Sequence, residues 1–459
     1  MVGDENIMEW NGKSVLVIGT GISGIAATDL LVKVGAKVVL FDGNEETKAS
    51  DVREKLQDGD QVEIVVGNLS DSIMDKVQIV VLSPGVPIDN PLVETLREKG
   101  KQIVGEIELA YTLSQGKIAA ITGTNGKTTT TALVGEVLKS YYASVFVVGN
   151  IGIPYTSVAL ETTQESVIAA EISSFQLETV NAFQPEVSAI LNLTPDHLNR
   201  HYTMENYGNT KLEIAKNQTN SQTCVLNYED AFLKEAAQNL KAKVFYFSSE
   251  RELEEGIYLT GENNIVLSTK GEKQIICHIN ELNLLGKHNY ENVMAAVAVC
   301  YFMGVPVDFI QKAIKEFVAV EHRIEYVTEK NGVKYYNDSK GTNPDAAIQG
   351  IKAMITKTIL IGGGYDKGSE YDQWIEAFEG KVKLLVLLGQ TSEKIAKTAR
   401  EHGFEDIVMV SSLEEAVKVC TEHAEPGEAV LLSPACASWG MFKNYEERGN
   451  KFKELVRAL

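Results

Sequence analysis

Ile121-Thr122-Gly123-Thr124-Asn125-Gly126-Lys127-Thr128-Thr129-Thr130 follows the apolar run Ile118-Ala119-Ala120 and precedes Ala132-Leu133-Val134-Gly135-Glu136-Val137-Leu138. A short strand that turns through glycines into a helix leaves backbone N–H groups free at the helix's positive end, which makes a phosphate cradle. Gly123 and Gly126 let the backbone approach oxygen atoms closely, Lys127 can reach terminal phosphates, and the Thr128 hydroxyl can ligate magnesium. The loop is shorter than the common G-x-x-x-x-G-K-[ST] form, because Ile121 stands where the first glycine would be. A plain threonine-rich turn is the competing reading. Gly-Lys-Thr at a strand-to-helix junction is what argues against it.

Working outward, 459 residues are too many for one compact core and should divide into two to four domains. A formal net charge of −20 argues against a general nucleic-acid binder, so any anionic ligand must be held by local groups. Cys224, Cys277, Cys300, Cys420 and Cys436 are scattered, odd in number and without CxxC spacing, which suggests neither a disulfide framework nor a zinc site. The N-terminus is acidic, and no stretch approaches the ~18 apolar residues of a membrane span. A cytoplasmic protein with no membrane partner is the expectation.

On the N-terminal side the pattern alternates strands and helices. Ser14–Ile18, Lys37–Phe41 and Gln78–Leu82 read as buried strands, with a helix from Gly24 to Val34. Gly19-Thr20-Gly21-Ile22-Ser23-Gly24 is a full G-x-G-x-x-G, and Asp42 follows about 20 residues on, as in dinucleotide sites. Alone, this would suggest a dehydrogenase. On the C-terminal side of the phosphate loop, Ser166–Ala170 and Val187–Leu191 read as strands ending in the polar clusters Glu171–Ser174 and Asn192–His197. Ligands of open α/β sheets sit at the carboxyl ends of strands, so these clusters should face Lys127. Residues 250–280 read as short strands of a peripheral β insert, and Gly286–Gly304 as a helix. The pattern restarts past Glu321-His322-Arg323, with strands at Val333–Asn337, Thr358–Ile361, Lys383–Leu388 and Glu428–Leu432.

Several residue types then invite chemistry. Glu171 could hold magnesium against the phosphates, although a strand-end glutamate is more often a solvated loop residue. His197 could ligate a metal or contact phosphate with Asp196 orienting its ring, although a lone histidine is more often structural. Lys211 reads as a solvated helix lysine. Asn289 and Asn292, three apart and on one helix face, suit a purine edge, with helix capping as the alternative. The loops Asn337–Pro344, Gly362–Lys367 and Ser433–Ser438 end strands at one sheet edge and bring Lys340, Thr342, Lys367 and Ser438 to a pocket for a small dicarboxylate.

Gly-Thr-Asn-Gly-Lys-Thr-Thr with Glu171-Ile172-Ser173-Ser174-Phe175-Gln176-Leu177, Asp196-His197, Gly286-Lys287-His288-Asn289, His322-Arg323 and Asp338-Ser339-Lys340 resembles the Mur ligases of bacterial cell-wall synthesis. Leu82-Ser83-Pro84-Gly85, Ser433-Pro434-Ala435-Cys436-Ala437-Ser438-Trp439 and Phe442-Lys443-Asn444-Tyr445-Glu446-Glu447-Arg448-Gly449 look like the branch that adds D-glutamate to UDP-N-acetylmuramoyl-L-alanine. The resemblance implies an α/β chain of three domains. A Rossmann-like sugar-nucleotide domain would occupy 1–105, a P-loop ATPase-type domain with a parallel or mixed sheet 106–320, and a Rossmann-like amino-acid domain 321–459. It implies ATP, two magnesium ions and an acyl-phosphate path, with no nucleic acid and a monomeric enzyme whose site is completed by domain closure.

By the same resemblance, Gly123, Thr124, Asn125, Gly126, Lys127, Thr128 and Thr129 would hold the ATP phosphates. Asn289 and Asn292 would meet adenine, Asp338 the ribose and Arg323 the γ-phosphate. Thr128 and Glu171 would hold one ion, His197 and a carbamylated Lys211 the second. Gly21, Ile22, Ser23, Ser83 and Asn150 would bind the sugar nucleotide, and Lys340, Thr342, Lys367, Ser438 and Tyr445 the D-glutamate. One departure is that Gly43-Asn44 stands where some relatives carry the Thr-Arg pair that caps uracil. A folate-type polyglutamate ligase shares the phosphate loop but lacks the G-x-G-x-x-G domain. A sister ligase for a diamino acid would carry an Asn-Pro-Arg arginine absent here, a dehydrogenase leaves Lys127 unexplained, and a non-catalytic nucleotide switch would need no amino-acid acceptor.

Overall fold

A computed structural model of the chain describes residues 10–150, 152–318 and 321–459. The acidic stretch 1–9 and the expected junction at 320 lie outside the described residues. Twenty strands among the described residues form three sheets, and the apolar runs that mark strands in the sequence supply their buried centres.

The first sheet contains β1 (Ser14–Ile18), β2 (Lys37–Asp42), β3 (Glu63–Val66), β4 (Ile79–Leu82) and β5 (Gln102–Gly105), all parallel in the order β3-β2-β1-β4-β5. The order reverses between β1 and β4, so a ligand crevice belongs at their carboxyl ends, where Gly19 and Ser83 sit. β3 and β5 escaped the sequence reading. Both are four-residue edge strands with few buried positions to mark them.

The second sheet runs β14-β13-β12-β11-β10-β9-β6-β8-β7. Its members are β6 (Lys117–Thr122), β7 (Val145–Gly149), β8 (Val167–Glu171), β9 (Val187–Ile190), β10 (Thr223–Asn227), β11 (Lys243–Ser248), β12 (Gly256–Leu259), β13 (Asn264–Thr269) and β14 (Glu272–His278). It is parallel from β7 across to β12 and turns antiparallel at β13. Residues 250–280 are therefore no separate insert but the mixed edge of this sheet. Every position of β8, β9 and β10 is buried, as strands covered on both faces require.

The third sheet has the order β15-β16-β20-β17-β18-β19, formed by β15 (Glu325–Lys330), β16 (Val333–Asn337), β17 (Thr358–Gly362), β18 (Val382–Leu387), β19 (Ile407–Met409) and β20 (Ala429–Leu432). Only β15 pairs antiparallel.

The chain forms two compact units, residues 1–276 with 293–314 and residues 277–292 with 315–459. Within the first unit, two buried acids at the start of the helix Glu106–Leu113 tie the first sheet to the second. Glu108 accepts N–H bonds from Asn181, Ala182 and Phe183 at 2.7–3.2 Å, and Glu106 accepts from the Gln176 side chain. All five cysteines are buried and free. No helix among the described residues is long and apolar enough to cross a membrane.

Candidate active site

β6 lies between β8 and β9, which brings the loops after these three strands side by side. The loop Gly123–Gly126 is shaped by contacts that need its glycines. Gly123 has φ +147°, and a Cβ there would meet Leu191 and the Asn192 amide at 3.0–3.3 Å. Gly126, at φ +86°, is the N-cap of the helix Lys127–Lys139 and has no side chain with which to cap it. A helix start of this kind turns its positive dipole end toward an anion. Asn192 fixes the loop from outside, because its Oδ1 accepts from Asn125 N–H at 2.9 Å and its Nδ2 donates to Asn125 O at 3.1 Å. Thr124 is pinned at the same time, bonded to Thr194 O (3.1 Å) and to the Tyr207 hydroxyl (3.2 Å). The hydroxyl of Thr129 is buried without a partner, while Thr128 is half-buried at the helix start.

Lys127 and Lys211 converge on one atom. The Gly123 carbonyl accepts from Lys127 Nζ at 2.9 Å and from Lys211 Nζ at 2.9 Å, and Lys127 also reaches Thr124 O at 2.8 Å. The reading of Lys211 as a solvated helix lysine is corrected by the structure, since it is 1% exposed and packs 4.7 Å from the Tyr207 ring. Burial, and then repulsion from Lys127, hold its amine well below the usual lysine range, against a smaller opposing pull from Asp196. A neutral amine is the form that can act as a nucleophile.

Glu171 closes β8, is 3% exposed, and accepts from the Asn150 side chain at 3.2 Å. These two sequence candidates are thus direct partners. His197 has φ +53°, an uncommon backbone for a residue with a Cβ, and its Nε2 lies 3.5 Å from Asp196 Oδ2. Its ring is 4.8 Å from Phe175. No group of three His, Cys, Asp or Glu side chains gathers among the described residues. A hydroxyl from Thr128 and a carboxylate from Glu171 are hard oxygen donors that fit magnesium, provided phosphates and water complete the shell.

The G-x-G-x-x-G loop is built just as tightly. A Cβ on Gly24 would fall 1.9 Å from Gly19 O, and one on Gly19 (φ +104°) would fall 2.8 Å from Ser83 Oγ. Gly21 stands at the N-cap of the helix Ile22–Lys33 with no side-chain cap, and a Cβ there meets nothing within 4 Å. Ile22 is exposed and Ser23 half-buried beside it. Asp42, the carboxylate a dehydrogenase would offer to a ribose, instead accepts from the Thr20 hydroxyl and from Asn44 N–H. Gly43-Asn44 therefore closes a turn onto Asp42.

The second unit carries the remaining candidates. Asn289 and Asn292 are buried in the helix Lys287–Phe302 and bonded to each other at 3.2 Å, with Asn289 also donating to Leu285 O at 2.7 Å. The helix begins at Lys287, so neither is its N-cap. Arg323 has a buried Nε with no partner among the described residues, an orphaned donor that suits an anion. Asp338 is buried between Ile324 N–H and the Ser433 hydroxyl, and burial lifts its carboxyl to about 7 against the pull of Ser433 and Arg323.

The loops after β16, β17 and β20 lie at adjacent carboxyl ends of the third sheet, with Tyr365 N–H bonded to Ala437 O at 2.9 Å. Lys340 and Thr342 are half-buried, Lys367 is exposed, and Ser438 is 5% exposed. Lys340 Nζ is 5.5 Å from the centre of the Tyr445 ring. Sequence reasoning assigned no role to the residue that organises these loops. Arg448, buried in the helix Tyr445–Arg457, donates to Ser339 Oγ (3.0 Å), Ser339 O (2.8 Å) and Cys436 O (3.2 Å). Its neighbours in sequence are charged, so nothing local marks it as buried. Asn192 and Tyr207 were also unassigned, because their partners Asn125 and Thr124 lie far along the chain.

Comparison with known proteins agrees with this geometry. Residues 13–105 match the Mur ligase MurD-like N-terminal domain, 121–300 the Mur ligase middle domain and 322–436 the Mur ligase glutamate ligase domain. The chain is 58% identical over 452 residues to the UDP-N-acetylmuramoylalanine--D-glutamate ligase of Lachnoclostridium phytofermentans, covering 98% of this chain and 99% of that one. It is 57% identical over 453 residues to the enzyme of the same name from Lachnospira eligens, covering 98% and 100%. Among solved structures, the MurF ligase of Thermotoga maritima in complex with ADP shares the fold at a TM-score of 0.60 and 18% identity, over 97% of its own length and 99% of this chain. Matched along nearly its whole length in each of three α/β domains, the chain belongs to the Mur ligase family.

Proposed function

We propose that the chain is an ATP-dependent amide ligase that joins D-glutamate to UDP-N-acetylmuramoyl-L-alanine and releases ADP and phosphate. The observation that carries this reading is the Gly123 carbonyl shared by Lys127 and Lys211, at the glycine loop that leads into the helix Lys127–Lys139. The names of the near relatives point to the same acceptor and amino acid.

In this reading the muramoyl-alanine carboxylate takes the γ-phosphoryl group of ATP to give an acyl phosphate. The D-glutamate amine then attacks the acyl carbon, and phosphate departs from the tetrahedral intermediate. Magnesium, when bound, neutralises the crowded anions. The protein's part is to position them. Gly123, Thr124, Asn125, Gly126, Lys127, Thr128 and Thr129 would shape the phosphate site around the helix start and the Lys127 cation, and Glu171, held by Asn150, stands with Thr128 as the oxygen pair for one ion. Lys211, whose amine is held by burial well below the usual lysine range, would add CO₂ in its neutral form. The N–C bond forms as a proton leaves, and the product is a carboxylate that would join His197 around a second ion.

Gly21, Ile22, Ser23 and Ser83 would take the UDP-sugar at the strand-order switch point of the first sheet. Asn289, Asn292, Asp338 and Arg323 would serve the nucleotide, and Lys340, Thr342, Lys367, Ser438 and Tyr445 the D-glutamate. Magnesium, the carbamate, a cytoplasmic setting and a monomeric state belong to this proposal. Phosphate release from ATP should require both UDP-N-acetylmuramoyl-L-alanine and D-glutamate. Equal turnover with L-glutamate or meso-diaminopimelate, or none with D-glutamate, would overturn it.

A further inference from the structure

The segment after His197 is a single helical turn, Leu198–His201, held between two residues with a left-handed backbone, His197 at φ +53° and Tyr202 at φ +67°. Residues with a Cβ keep such conformations only where their surroundings hold them. Three side chains of this turn do the holding. The Arg200 guanidinium makes a forked pair with Glu178, with Nε 3.1 Å from Oε1 and Nη2 bonded to Oε2. The same Nη2 donates to Val86 O at 3.0 Å, and the guanidinium carbon lies 4.6 Å from the centre of the Phe175 ring. His201 is bonded to Ser174 Oγ at 3.0 Å, and the Tyr202 hydroxyl donates to Asp89.

Arg200 therefore joins its own turn to two other segments of the first unit, the loop at Val86 and the short helix Ser174–Leu177, which carries Phe175 and ends at Glu178. Val86 belongs to the loop that begins at Ser83, where Val86 N–H bonds Ser83 O at 2.9 Å and the Ser83 hydroxyl points to Gly19 O at 3.5 Å. Glu178 and Phe175 follow Glu171 in the chain, and Phe175 contacts the His197 ring. The fork is nearly out of water, with the Arg200 side chain 12% exposed and that of Glu178 6%. Lysine cannot reproduce such a planar two-point contact.

We propose that Arg200 is a positioning residue that couples occupancy of the Ser83 loop to the placement of His197, and through it to cation binding beside the phosphate loop. The inference rests on the sugar-nucleotide and ion roles proposed above. Coupling of this kind is reciprocal, so the sugar nucleotide should tighten cation binding by the same factor as the cation tightens the sugar nucleotide.

The test is Mn²⁺ binding followed by electron paramagnetic resonance, in the presence of a non-hydrolysable ATP analogue, with and without saturating UDP-N-acetylmuramoyl-L-alanine. Wild type should bind Mn²⁺ about fivefold more tightly or better with the sugar nucleotide present, the lower end of usual coupling strengths. Arg200→Lys should cut that ratio to below about twofold, measured below the variant's thermal midpoint, which is expected to fall because the fork is nearly out of water. An unchanged ratio in Arg200→Lys, or no coupling in wild type, overturns the inference. If Arg200→Lys does not fold, Tyr202→Phe decides, since it removes only the exposed bond to Asp89. A ratio reduced at least about twofold supports the inference and an unchanged ratio overturns it. Wild type that releases phosphate as proposed while Arg200→Lys keeps its coupling sinks this inference alone. Wild type that fails to bind the sugar nucleotide sinks the functional reading with it.

Discussion

Two glycine-rich loops in the first unit, Gly19–Gly24 and Gly123–Gly126, share one design and differ in what surrounds it. Each follows a parallel strand, each turns through a positive-φ glycine, and each opens a helix whose N-cap is a glycine. Both are therefore amide cradles for an anion. Around Gly123 two lysines meet at one carbonyl, with a buried carboxylate at the end of the neighbouring strand. Around Gly19 the contacts are the Ser83 hydroxyl and a Thr20–Asp42 pair, which adds a negative charge. Under the proposed function, the difference separates a cradle that must stabilise charge developing during reaction from one that only has to recognise a ligand. A G-x-G-x-x-G motif does not by itself announce a dinucleotide.

The contrast is most easily broken at its two lysines. Lys127→Ala should lower kcat by about a thousandfold, the scale of losing a charge-stabilising donor in a reacting site, while leaving the affinity for the sugar nucleotide within about twofold by calorimetry. A comparable loss of sugar-nucleotide affinity would mean the two loops do not divide the labour. Lys211→Ala should cost about a hundredfold, with part of the activity restored by short carboxylates such as acetate or formate. Full activity would exclude a carbamate role, and loss without rescue would leave Lys211 as a packing lysine.

The glycines sharpen the comparison further. Gly24→Ala places a Cβ 1.9 Å from Gly19 O, so a strongly lowered thermal midpoint is expected, in line with overpacking costs of about 1–3 kcal/mol or more. Gly21→Ala meets open space at a φ of −72°. It should keep the wild-type midpoint and raise KM for the sugar nucleotide without changing KM for ATP. Equal effects on both KM values would argue against the assignment of this loop.

These residues also show what the sequence made legible. The central strands of the first and third sheets and β6, β8 and β9 of the second announced themselves as apolar runs, whereas β10 and β11 in the middle of the second sheet went unread. The clusters after β8 and β9 were correctly expected beside Lys127, because strand adjacency and the carboxyl-end rule follow from parallel α/β topology. Edge strands did not: β15 alternates Glu, Tyr, Val, Thr, Glu and Lys, and β19 has three residues. Lys211 was misread because its helix neighbours are polar, while its burial is imposed by Gly123 and Tyr207. Arg448, Arg200 and Asn192 owe their roles to partners far along the chain, for which local pattern holds no signal.

The smallest expected effect concerns acid. Burial, helped by Lys211 and Arg200, pushes His201 down to about 4, and burial with Arg323 pushes His288 down to about 3. The unfolded chain takes up those protons near the ordinary value of 6.5, so stability should fall as pH drops from about 6.5 towards 4. Asp338, raised to about 7, acts the other way, its contribution being present at low pH and lost as pH rises through that value. Thermal midpoints between pH 7.5 and 5 should decline, and His201→Gln should flatten part of that decline. An identical slope in the variant would show that His201 plays no part in it.

The division of labour between the two loops is tested most directly by isotope transfer. UDP-N-acetylmuramoyl-L-alanine labelled with ¹⁸O in its alanyl carboxylate should pass one labelled oxygen to the released phosphate during turnover with ATP and D-glutamate. Phosphate free of label, formed in step with the amide product, would contradict an acyl phosphate made at Lys127, and with it the assignment of the Gly123 loop as the reacting cradle.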